Sequence, residues 1–260
     1  MSTTTLNNAS PRGLAVVTGA SVGIGRASAE ALEKAGYTVI AASRRLTTAP
    51  STATGITTHH LDVTDADSVA ALERTVAAHP VPLTLLVNNA GIPTHAATIA
   101  DSDIADWRAT YETNVVGTVQ MTRALLPHLI RNRGDVQFIG STVGRVGYER
   151  GAAYAASKFG LTALVQSLRL ELNGQPVRVT EIAPGMMRGD ADGGEFMRTR
   201  FHDDKQAIAA VYQGVEHPLT PEDIAECVRW CATLPKHVDV DLMELRPLAQ
   251  AAQHKVHRTS

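Results

Sequence analysis

The sequence predicts an α/β fold in which a doubly wound parallel sheet of about seven strands carries helices on both faces. Short apolar, β-branched runs alternate with segments of helical composition from residue 14 to residue 245. Such alternation indicates successive βαβ units, which form parallel sheets covered by helices. The length of 260 residues suits one α/β domain. We therefore expect a single domain over residues 13–248, between a polar tail of residues 1–12 and a C-terminal tail of residues 249–260.

The first elements are marked by composition and by the glycines at their ends. Leu14–Thr18 is an apolar run that ends at Gly19, as expected of a buried parallel strand. Residues 27–35 have helical composition and stop before Gly36, and glycine commonly terminates helices. Residues 38–42 are again apolar and β-branched, and they form the second predicted strand.

The alternation continues to the end of the domain. Further strands are predicted over residues 57–61, 83–87, 136–139, 177–182 and 242–245. Further helices are predicted over residues 66–78, 104–131, 152–172 and 221–234, and the second of these has a break near Tyr111. The one long irregular segment, residues 184–204, is rich in Gly, Asp and Arg. A loop of that length in a compact domain is more often functional than accidental.

Composition argues against several classes of partner. The formal net charge is −2 and the basic residues form no long run, so neither nucleic acid nor an anionic membrane is expected to bind. No apolar stretch approaches the ~20 residues of a membrane span, and the N-terminus lacks the basic and apolar parts of a signal peptide. We therefore expect a cytoplasmic protein. Cys227 and Cys231 have no further ligands at metal spacing, so we interpret them as buried thiols and predict no metal site.

The turn after the first strand has the composition of a phosphate-binding loop. Gly19, Gly23 and Gly25 allow the backbone to turn sharply and to approach a pyrophosphate. The N-terminus of the following helix offers free N–H groups and the positive end of its dipole. The alternative interpretation of the glycines is a tight turn and no more.

The end of the second strand predicts the type of dinucleotide. Ser43, Arg44 and Arg45 stand where an acidic residue would accept hydrogen bonds from the adenosine ribose. Because guanidinium groups bind phosphate through charge-assisted hydrogen bonds, these residues predict NADP(H) rather than NAD(H). The alternative is a solvated pair of arginines. Asp62 and Val63, after the third strand, are placed to meet the adenine.

Tyr154 and Lys158 lie four residues apart in a predicted helix and so share one face. A nearby cation favours the phenolate, so this pairing is expected to lower the pKa of Tyr154 from about 10. Such a tyrosine can move a proton between an alcohol and a carbonyl, although an isolated pair of this kind more often forms a solvated helix face. Ser141, thirteen residues before Tyr154, can donate to a substrate carbonyl oxygen. Asn114 lies inside a predicted helix, where a polar side chain often bonds its own backbone.

Together these motifs resemble the short-chain dehydrogenases/reductases. The matching motifs, in order, are Thr18-Gly-x-x-x-Gly-x-Gly25, Asn88-Asn-Ala-Gly91, Asn114, Ser141, Tyr154-x-x-x-Lys158 and Pro184-Gly185. The resemblance extends over residues 14 to about 248 and implies a Rossmann-type sheet with 4-pro-S hydride transfer at the nicotinamide. The cofactor contacts predicted from the strand ends and the resemblance are Gly19, Ser21, Val22, Gly23, Ile24, Gly25, Ser43, Arg44, Arg45, Asp62, Val63, Asn89, Ala90, Gly91, Tyr154, Lys158, Pro184 and Gly185.

The resemblance also implies a role for each residue of the predicted catalytic group. Tyr154 would be the general acid/base. Lys158 would bond the nicotinamide ribose and lower the pKa of Tyr154. Ser141 would orient and polarise the substrate, and Asn114 would hold a water that links Lys158 to bulk solvent. A homodimer or homotetramer formed through residues 107–131 and 152–172 is implied as well.

Segments of the last third are similar to those of the bacterial NADP-dependent 3-hydroxy acid (serine) dehydrogenases. They include Leu219-Thr-Pro-Glu-Asp-Ile224 and Thr233-Leu-Pro-Lys-His237. The segment Leu125-Leu-Pro-His-Leu129 is similar to the clavulanate-dehydrogenase type of reductase. One position departs from the family, because Gly189 stands where a Thr commonly bonds the nicotinamide carboxamide. Backbone groups or Arg188 are the candidates to replace that Thr.

Residues 184–204 are expected to form a lid over a small-molecule substrate. Several arginines in and near this segment suit a carboxylate, and solvated surface arginines are the alternative. We expect an NADP(H)-dependent oxidoreductase that acts on a 3-hydroxy acid, an aldehyde or a ketone. The alternative is a non-catalytic protein that senses a dinucleotide on the same scaffold.

Overall fold

A computed structural model describes residues 12–49, 55–189 and 194–259. Its seven principal strands are β1 Leu14–Thr18, β2 Thr38–Ser43, β3 Ile56–His60, β4 Leu83–Asn88, β5 Asp135–Ile139, β6 Arg178–Pro184 and β7 Leu242–Leu245. They form one sheet in the order β3–β2–β1–β4–β5–β6–β7, and every neighbouring pair is parallel. The predicted doubly wound, Rossmann-type sheet of seven strands is confirmed.

Helices cover both faces of this sheet. They are α1 Gly23–Lys34, α2 Ala66–Ala77, α3 Ile104–Tyr111, α4 Gly117–Asn132, α5 Ala152–Glu171, α6 Gly194–Arg200, α7 Lys205–Tyr212 and α8 Pro221–Thr233. Apolar residues of α1 and α8, such as Leu32 and Val228, fill one core layer. Residues of α2, α4 and α5, such as Leu72, Leu125 and Leu161, fill the other. Two buried layers back to back explain why the central strands are apolar on both faces.

The predicted helix over residues 104–131 is interrupted where the break was expected. A π-helical turn, Glu112–Val116, follows α3 directly and leads into α4. Turns of this kind are rare and often occur at functional sites. Asn114 lies in the turn and is 1% exposed, so the interruption coincides with a residue of the predicted catalytic group.

Three parts of the chain differ from the sequence-based expectations. Helix α1 begins at Gly23, four residues before the predicted start, because Gly23 and Gly25, which were assigned to a turn, lie in its first turn. The segment expected to be irregular contains α6, and α7 follows directly after it; the two helices pack Met197, Ile208 and Tyr212 into a small core of their own. The residues expected to be a C-terminal tail include an antiparallel hairpin, β8 Gln250–Ala252 and β9 Lys255–Val256.

Two other expectations concern the cysteines and the membrane. Cys231 is buried and Cys227 is partly buried, and neither forms a disulfide. Burial raises the pKa of both thiols, that of Cys231 to about 11, so they are unreactive packing groups as interpreted from the sequence. Among the described residues, no helix has both the length and the apolar character that a bilayer crossing would require.

Candidate active site

The carboxyl ends of the strands open into one large cavity, of about 1540 Å³. Parallel sheets of this order bind ligands at that edge. The predicted site residues that line the cavity are Gly19, Ser21, Val22, Gly23, Ile24, Ser43, Arg44, Arg45, Asp62, Val63, Asn89, Ala90, Gly91, Ser141, Tyr154, Lys158, Pro184 and Gly185. Gly25 and Asn114 are not part of the lining, and both lie directly behind it.

The glycines of the first turn have separate structural reasons. Gly19 and Gly23 have φ angles of 66° and 56°, a region that non-glycine residues rarely adopt. Gly25 is required by packing, because a Cβ atom there would lie 2.4 Å from Asn89 Nδ2 and 2.5 Å from the Gly19 carbonyl oxygen. Gly25 therefore allows the turn to pack against the end of β4, and the neighbouring residues rather than Gly25 line the cavity.

The N-terminus of α1 fits an anion. Its N-cap residue, Val22, makes no side-chain cap, and the first turn contains no acidic residue. The first N–H groups of a helix have no partners within the helix, and together with the positive dipole end they bind phosphate groups. The pyrophosphate of a dinucleotide therefore suits this end of the cavity.

The ends of β1 and β4 are fastened together beside this turn. The Thr18 hydroxyl accepts hydrogen bonds from the N–H groups of Asn89 at 3.0 Å and Ala90 at 2.9 Å. The Asn89 amide in turn donates to the Thr18 carbonyl oxygen at 2.8 Å. These bonds give a reason for the Asn-Asn-Ala-Gly motif. Asn89 donates to Thr18 from both its backbone and its side chain, and the small residues after it let the two strand ends approach.

The two arginines after β2 are placed differently. Arg45 donates to the Ser21 hydroxyl at 2.8 Å and forms an ion pair of 2.6 Å with Glu195 of α6. Arg44 is exposed at the cavity wall and has no side-chain hydrogen bond within the described residues. Arg44 is therefore the guanidinium with free donors for a phosphate, while Arg45 already connects the glycine-rich turn to the lid.

Asp62 is held as a carboxylate at the same end of the cavity. Burial is the largest single influence and raises its pKa, but several smaller influences together lower it below the usual value. These are the hydrogen bonds from the Thr64 N–H at 2.9 Å and hydroxyl at 2.8 Å, followed by the charges of Arg44 and His60. An acceptor is thus fixed beside Val63, where the adenine amino group is expected.

Lys158 lines the part of the cavity that contains Tyr154 and Ser141. Its side chain is 6% exposed, and its amine donates to the Ile139 carbonyl oxygen at 2.8 Å and lies 5.8 Å from the Tyr154 ring centroid. Burial lowers the pKa of the amine to about 8, and the negative charge of Glu181 opposes that shift. The charge on this lysine is therefore sensitive to its surroundings near neutral pH.

The pKa of Tyr154 is raised, and this corrects the lowering expected from the neighbouring lysine. Burial is the largest cause, and Tyr148 adds to it. A hydrogen bond with Ser141 and the charge of Arg200 act in the opposite direction but do not outweigh burial. Two residues on one helix face were expected to interact through charge alone, whereas desolvation decides the shift here. In the protein by itself, the phenol holds its proton firmly.

Ser141 is fixed between the turn after β5 and the end of β6. Its hydroxyl donates to the Pro184 carbonyl oxygen at 3.3 Å and accepts from the Val143 N–H at 3.3 Å. Val143 belongs to a 3-10 turn, Thr142–Gly144, for which Ser141 is the N-cap. The hydroxyl is thus placed at the Tyr154 phenol by backbone contacts on both sides.

Asn114 connects the π turn to the catalytic helix rather than to its own backbone. Its amide oxygen accepts from the Ile92 N–H at 2.8 Å, and its nitrogen donates to the Ile92 carbonyl oxygen and to the Ser157 hydroxyl, both at 3.0 Å. Ser157 donates onward to the Tyr154 carbonyl oxygen at 2.8 Å. Asn114 therefore stabilises the backbone of Tyr154 through Ser157. The water that the resemblance implies stays a prediction.

Helix α6, in the segment expected to form the lid, brings one aromatic ring and one arginine to the Tyr154 phenol. Phe196 meets the Tyr154 ring edge-on, with 5.2 Å between centroids. Arg200 is 6% exposed; it donates from Nη2 to the Arg150 carbonyl oxygen at 2.9 Å, and it stacks 5.1 Å from the Tyr148 ring. Its Nη1 is buried and has no hydrogen-bond partner. A buried, unsatisfied guanidinium nitrogen is costly unless a ligand completes it.

Two further arginines near the cavity, Arg188 and Arg145, make other contacts. Arg188 stacks 4.4 Å from the Tyr212 ring, and its backbone bonds Leu219, so its side chain does not line the cavity and does not replace the missing Thr. Arg145 donates two hydrogen bonds to the carboxylate of Glu181 on β6. Of these three arginines, Arg200 is the one whose buried guanidinium lines the cavity.

Two features of the site were missed from the sequence. Gln250 of the C-terminal hairpin is 4% exposed, accepts from the Met186 N–H at 2.8 Å, and lies so close to Gly185 that a Cβ there would be 2.4 Å from its Oε1. His95 and His202 stack at 3.9 Å on the cavity wall, and His95 also pairs with Asp106 at 2.8 Å. No local pattern identifies these residues, because their partners are distant in the chain.

Comparison with known proteins places this geometry in one family. Residues 13–197 match the family described as short chain dehydrogenase. The NADP-dependent 3-hydroxy acid dehydrogenase YdfG of Salmonella typhi is 35% identical over 252 residues, which cover 95% of this chain and 100% of that protein. An uncharacterized oxidoreductase of Mycobacterium tuberculosis (strain ATCC 25618 / H37Rv) is 43% identical over 243 residues, 92% of each chain.

Solved structures agree with the sequence comparison. The closed form of serine dehydrogenase complexed with NADP+ superposes with a TM-score of 0.82 at 32% identity, covering 95% of this chain and 100% of that one. An alcohol dehydrogenase from Thermococcus sibiricus complexed with 5-hydroxy-NADP gives a TM-score of 0.76 at 26% identity, covering 93% and 99%. With the seven-stranded sheet and the clustered motifs, these matches establish that the chain belongs to the short-chain dehydrogenase family.

Proposed function

We propose that this protein is an NADP(H)-dependent oxidoreductase that interconverts the hydroxyl and carbonyl forms of a small 3-hydroxy acid. The observation that carries the proposal is the Tyr154 phenol, which lines the cavity together with Ser141 and lies beside Lys158 on the same helix face. Acid/base exchange at an alcohol oxygen needs such a phenol, whereas a protein that only senses a dinucleotide does not. The names of the relatives support the same reaction class.

The cofactor would be held along the cavity by residues of this chain. The free N–H groups of α1 suit the pyrophosphate, and the exposed Arg44 suits the 2′-phosphate. Lys158 suits the nicotinamide ribose, and the turn Pro184–Gly185, fixed by Gln250, suits the nicotinamide end. When bound, the nicotinamide supplies or accepts the hydride. The 3-hydroxy acid dehydrogenase YdfG is named as NADP-dependent and the serine dehydrogenase structure contains NADP+, which supports this cofactor for the chain.

The proton would move through Tyr154. In the reducing direction, the carbonyl carbon receives the hydride and the carbonyl oxygen receives the phenolic proton, so an alcohol is formed. The raised pKa of the phenol keeps that proton in place until charge develops on the oxygen. The Ser141 hydroxyl, which donates to the Pro184 carbonyl oxygen in the protein alone, would turn to donate to the same oxygen and stabilise the developing charge. Oxidation would run in reverse and pass the alcohol proton to a deprotonated Tyr154, a form that the raised pKa of the phenol disfavours in the protein without cofactor.

The carboxylate of the substrate would be bound by Arg200. Its Nη1 is buried without a partner, and Arg200 and Tyr154 both line the cavity. An anionic oxygen that completes this nitrogen removes an unsatisfied buried donor. A 3-hydroxy acid places its hydroxyl two carbons from its carboxyl group, which lets one small molecule reach both residues.

We propose in addition that the protein is a homodimer or homotetramer associated through α4 and α5. Phe159 and Leu170 of α5 are 45% and 79% exposed, and Val119 of α4 is 38% exposed. Large apolar side chains along two neighbouring helices favour association.

A direct test is NADPH oxidation with a panel of small carbonyl compounds. We expect turnover with 3-oxo acids, weaker turnover with the matching methyl esters and simple ketones, and weaker turnover of every substrate when NADH replaces NADPH. Tight NADPH binding with no turnover of any compound, in either direction, would favour the dinucleotide-sensing alternative.

A further inference from the structure

Glu181 is a buried carboxylate that the proposed reaction does not use. It lies on β6 and is 2% exposed. Arg145 donates to its two oxygens, from Nη1 at 3.1 Å and from Nη2 at 2.6 Å, and the Thr162 hydroxyl donates at 3.1 Å. A buried carboxylate with a two-point guanidinium contact and a further donor is a fixed charge in a rigid position.

The partners of Glu181 belong to the two segments that carry the proposed catalytic group. Arg145 directly follows the 3-10 turn that Ser141 caps. Thr162 lies one helical turn after Lys158 on α5. The same carboxylate touches the backbone before Ser141, because a Cβ atom on Gly140 would lie 2.3 Å from its Oε1. Glu181 thus joins the Ser141 turn to the Lys158 helix from below.

Close packing supports this connection. At Gly144, in the 3-10 turn, a Cβ atom would lie 2.7 Å from the Thr162 hydroxyl oxygen and 2.9 Å from the Lys158 carbonyl oxygen. The turn therefore rests directly on the backbone of α5. A small displacement of the carboxylate or of Arg145 would change the distance between Ser141 and the phenol above it.

The charge of Glu181 also acts on Lys158. The titratable side chains on the elements around that lysine are Asp106, Arg108, Tyr111, Glu112, Asp135, Arg145, Tyr148, Tyr154, Arg169, Glu171, Arg178 and Glu181. Glu181 is the one among them whose charge raises the pKa of the Lys158 amine, which burial lowers to about 8. Arg145 contacts the same carboxylate, so it competes with Lys158 for this negative charge.

We propose that Glu181 is a positioning residue that holds the Ser141 turn against α5 and thereby sets the electrostatic environment of the Lys158 amine. The inference rests on the proposed function for the use of that charge, since a protonated Lys158 is what can donate to the cofactor ribose. The position of the Ser141 turn and the charge state of Lys158 can both be measured in the protein without cofactor.

The test is a titration of lysine side chains by NMR in the cofactor-free full chain. The sequence contains five lysines, so ¹³C labelling at Cε gives few signals, and Lys158→Met identifies the one that matters. We expect the Lys158 signal of the wild type to titrate near pH 8. In Glu181→Gln, which removes the charge at nearly constant shape, we expect the midpoint to fall by about one pH unit.

Two variants of the partner give results of opposite kind. Arg145→Met removes the guanidinium that shares the carboxylate and should shift the Lys158 midpoint, whereas Arg145→Lys retains the charge and should leave it near the wild-type value. This pair also decides the matter if Glu181→Gln does not fold. An unchanged midpoint in Glu181→Gln or in Arg145→Met, each with a native circular dichroism spectrum, would overturn the inference.

Activity gives a separate reading. In Glu181→Gln, the alkaline limb of the pH profile of kcat should move to lower pH together with the Lys158 midpoint. If the NMR midpoint moves and no carbonyl compound is reduced by the wild type, the positioning role stands and the proposed function fails. If the wild type reduces 3-oxo acids and the midpoint does not move, the proposed function stands and the positioning role fails.

Discussion

Replacing Arg200 with methionine tests whether the substrate is recognised by its carboxylate. The arginine is 6% exposed, its Nη1 has no partner in the protein, and its Nη2 is bonded to the Arg150 carbonyl oxygen. Hydrogen bonds to charged groups contribute about 1.5–3 kcal/mol. At 1.4 kcal/mol for each factor of ten, their loss should lower kcat/KM for a 3-oxo acid by about 10- to 150-fold.

The substitution also disturbs packing, since the guanidinium stacks near Tyr148 and Phe201. A neutral substrate separates the two effects. The methyl ester of the same acid meets the same lid but has no charge to pair, so a packing defect lowers both activities equally. The assay is therefore the ratio of kcat/KM for acid and ester, measured by NADPH absorbance in the wild type, in Arg200→Met and in Arg200→Lys.

We expect the acid-to-ester ratio to fall by about 10-fold or more in Arg200→Met. Arg200→Lys should give an intermediate ratio, because it retains the charge but loses the planar fork. An equal loss for acid and ester would refute the assignment of Arg200 to the carboxylate and would leave it as a packing residue of the lid.

Three further changes test other parts of the site. Arg44→Asp should raise KM for NADPH by about 10-fold or more and leave KM for NADH nearly unchanged, because only NADPH carries the 2′-phosphate; equal effects on both would contradict that role. Gln250→Ala removes a buried acceptor from Met186 and should lower Tm by about 2–8 °C, whereas the exposed Gln206→Ala should not. The pKa of Lys158 is lowered to about 8 from 10.5, so between these pH values the unfolded chain binds more protons than the folded one. The free energy of unfolding of the wild type relative to Lys158→Met should therefore rise by about 2 kcal/mol from pH 8 to pH 10, measured by urea titration. A difference that does not change with pH would contradict the shift.

The fold follows from local features of the sequence because each strand and long helix carries its own signal. The sheet was predicted from apolar, β-branched runs such as Leu14–Thr18, and the break in the helix near Tyr111 occurs at the π turn. Helices α6 and α7 were not predicted. Each has fewer than nine residues, and helices so short depend on tertiary packing, here around Met197 and Tyr212.

The candidate site likewise contains residues that could be predicted from the sequence and residues that could not. Residues at strand ends, such as Gly19, Arg44 and Ser141, could be placed at one edge of the sheet because parallel topology brings those ends together. The sequence did not distinguish Arg200 from Arg188, since burial and stacking partners are set by the packed lid. The direction of the Tyr154 pKa shift was wrong for a related reason, because it depends on desolvation rather than on the spacing to one lysine.

The central claim is that the Tyr154 phenol transfers the proton, and Tyr154→Phe tests it most directly. The variant keeps the ring that Phe196 contacts and removes only the hydroxyl. Two quantities are measured on the same preparation: the Kd for NADPH by fluorescence and the rate of NADPH oxidation with a 3-oxo acid. We predict a Kd within about threefold of the wild type and a rate lowered by about 10²- to 10⁴-fold. A rate close to that of the wild type, with NADPH still bound, would contradict the claim.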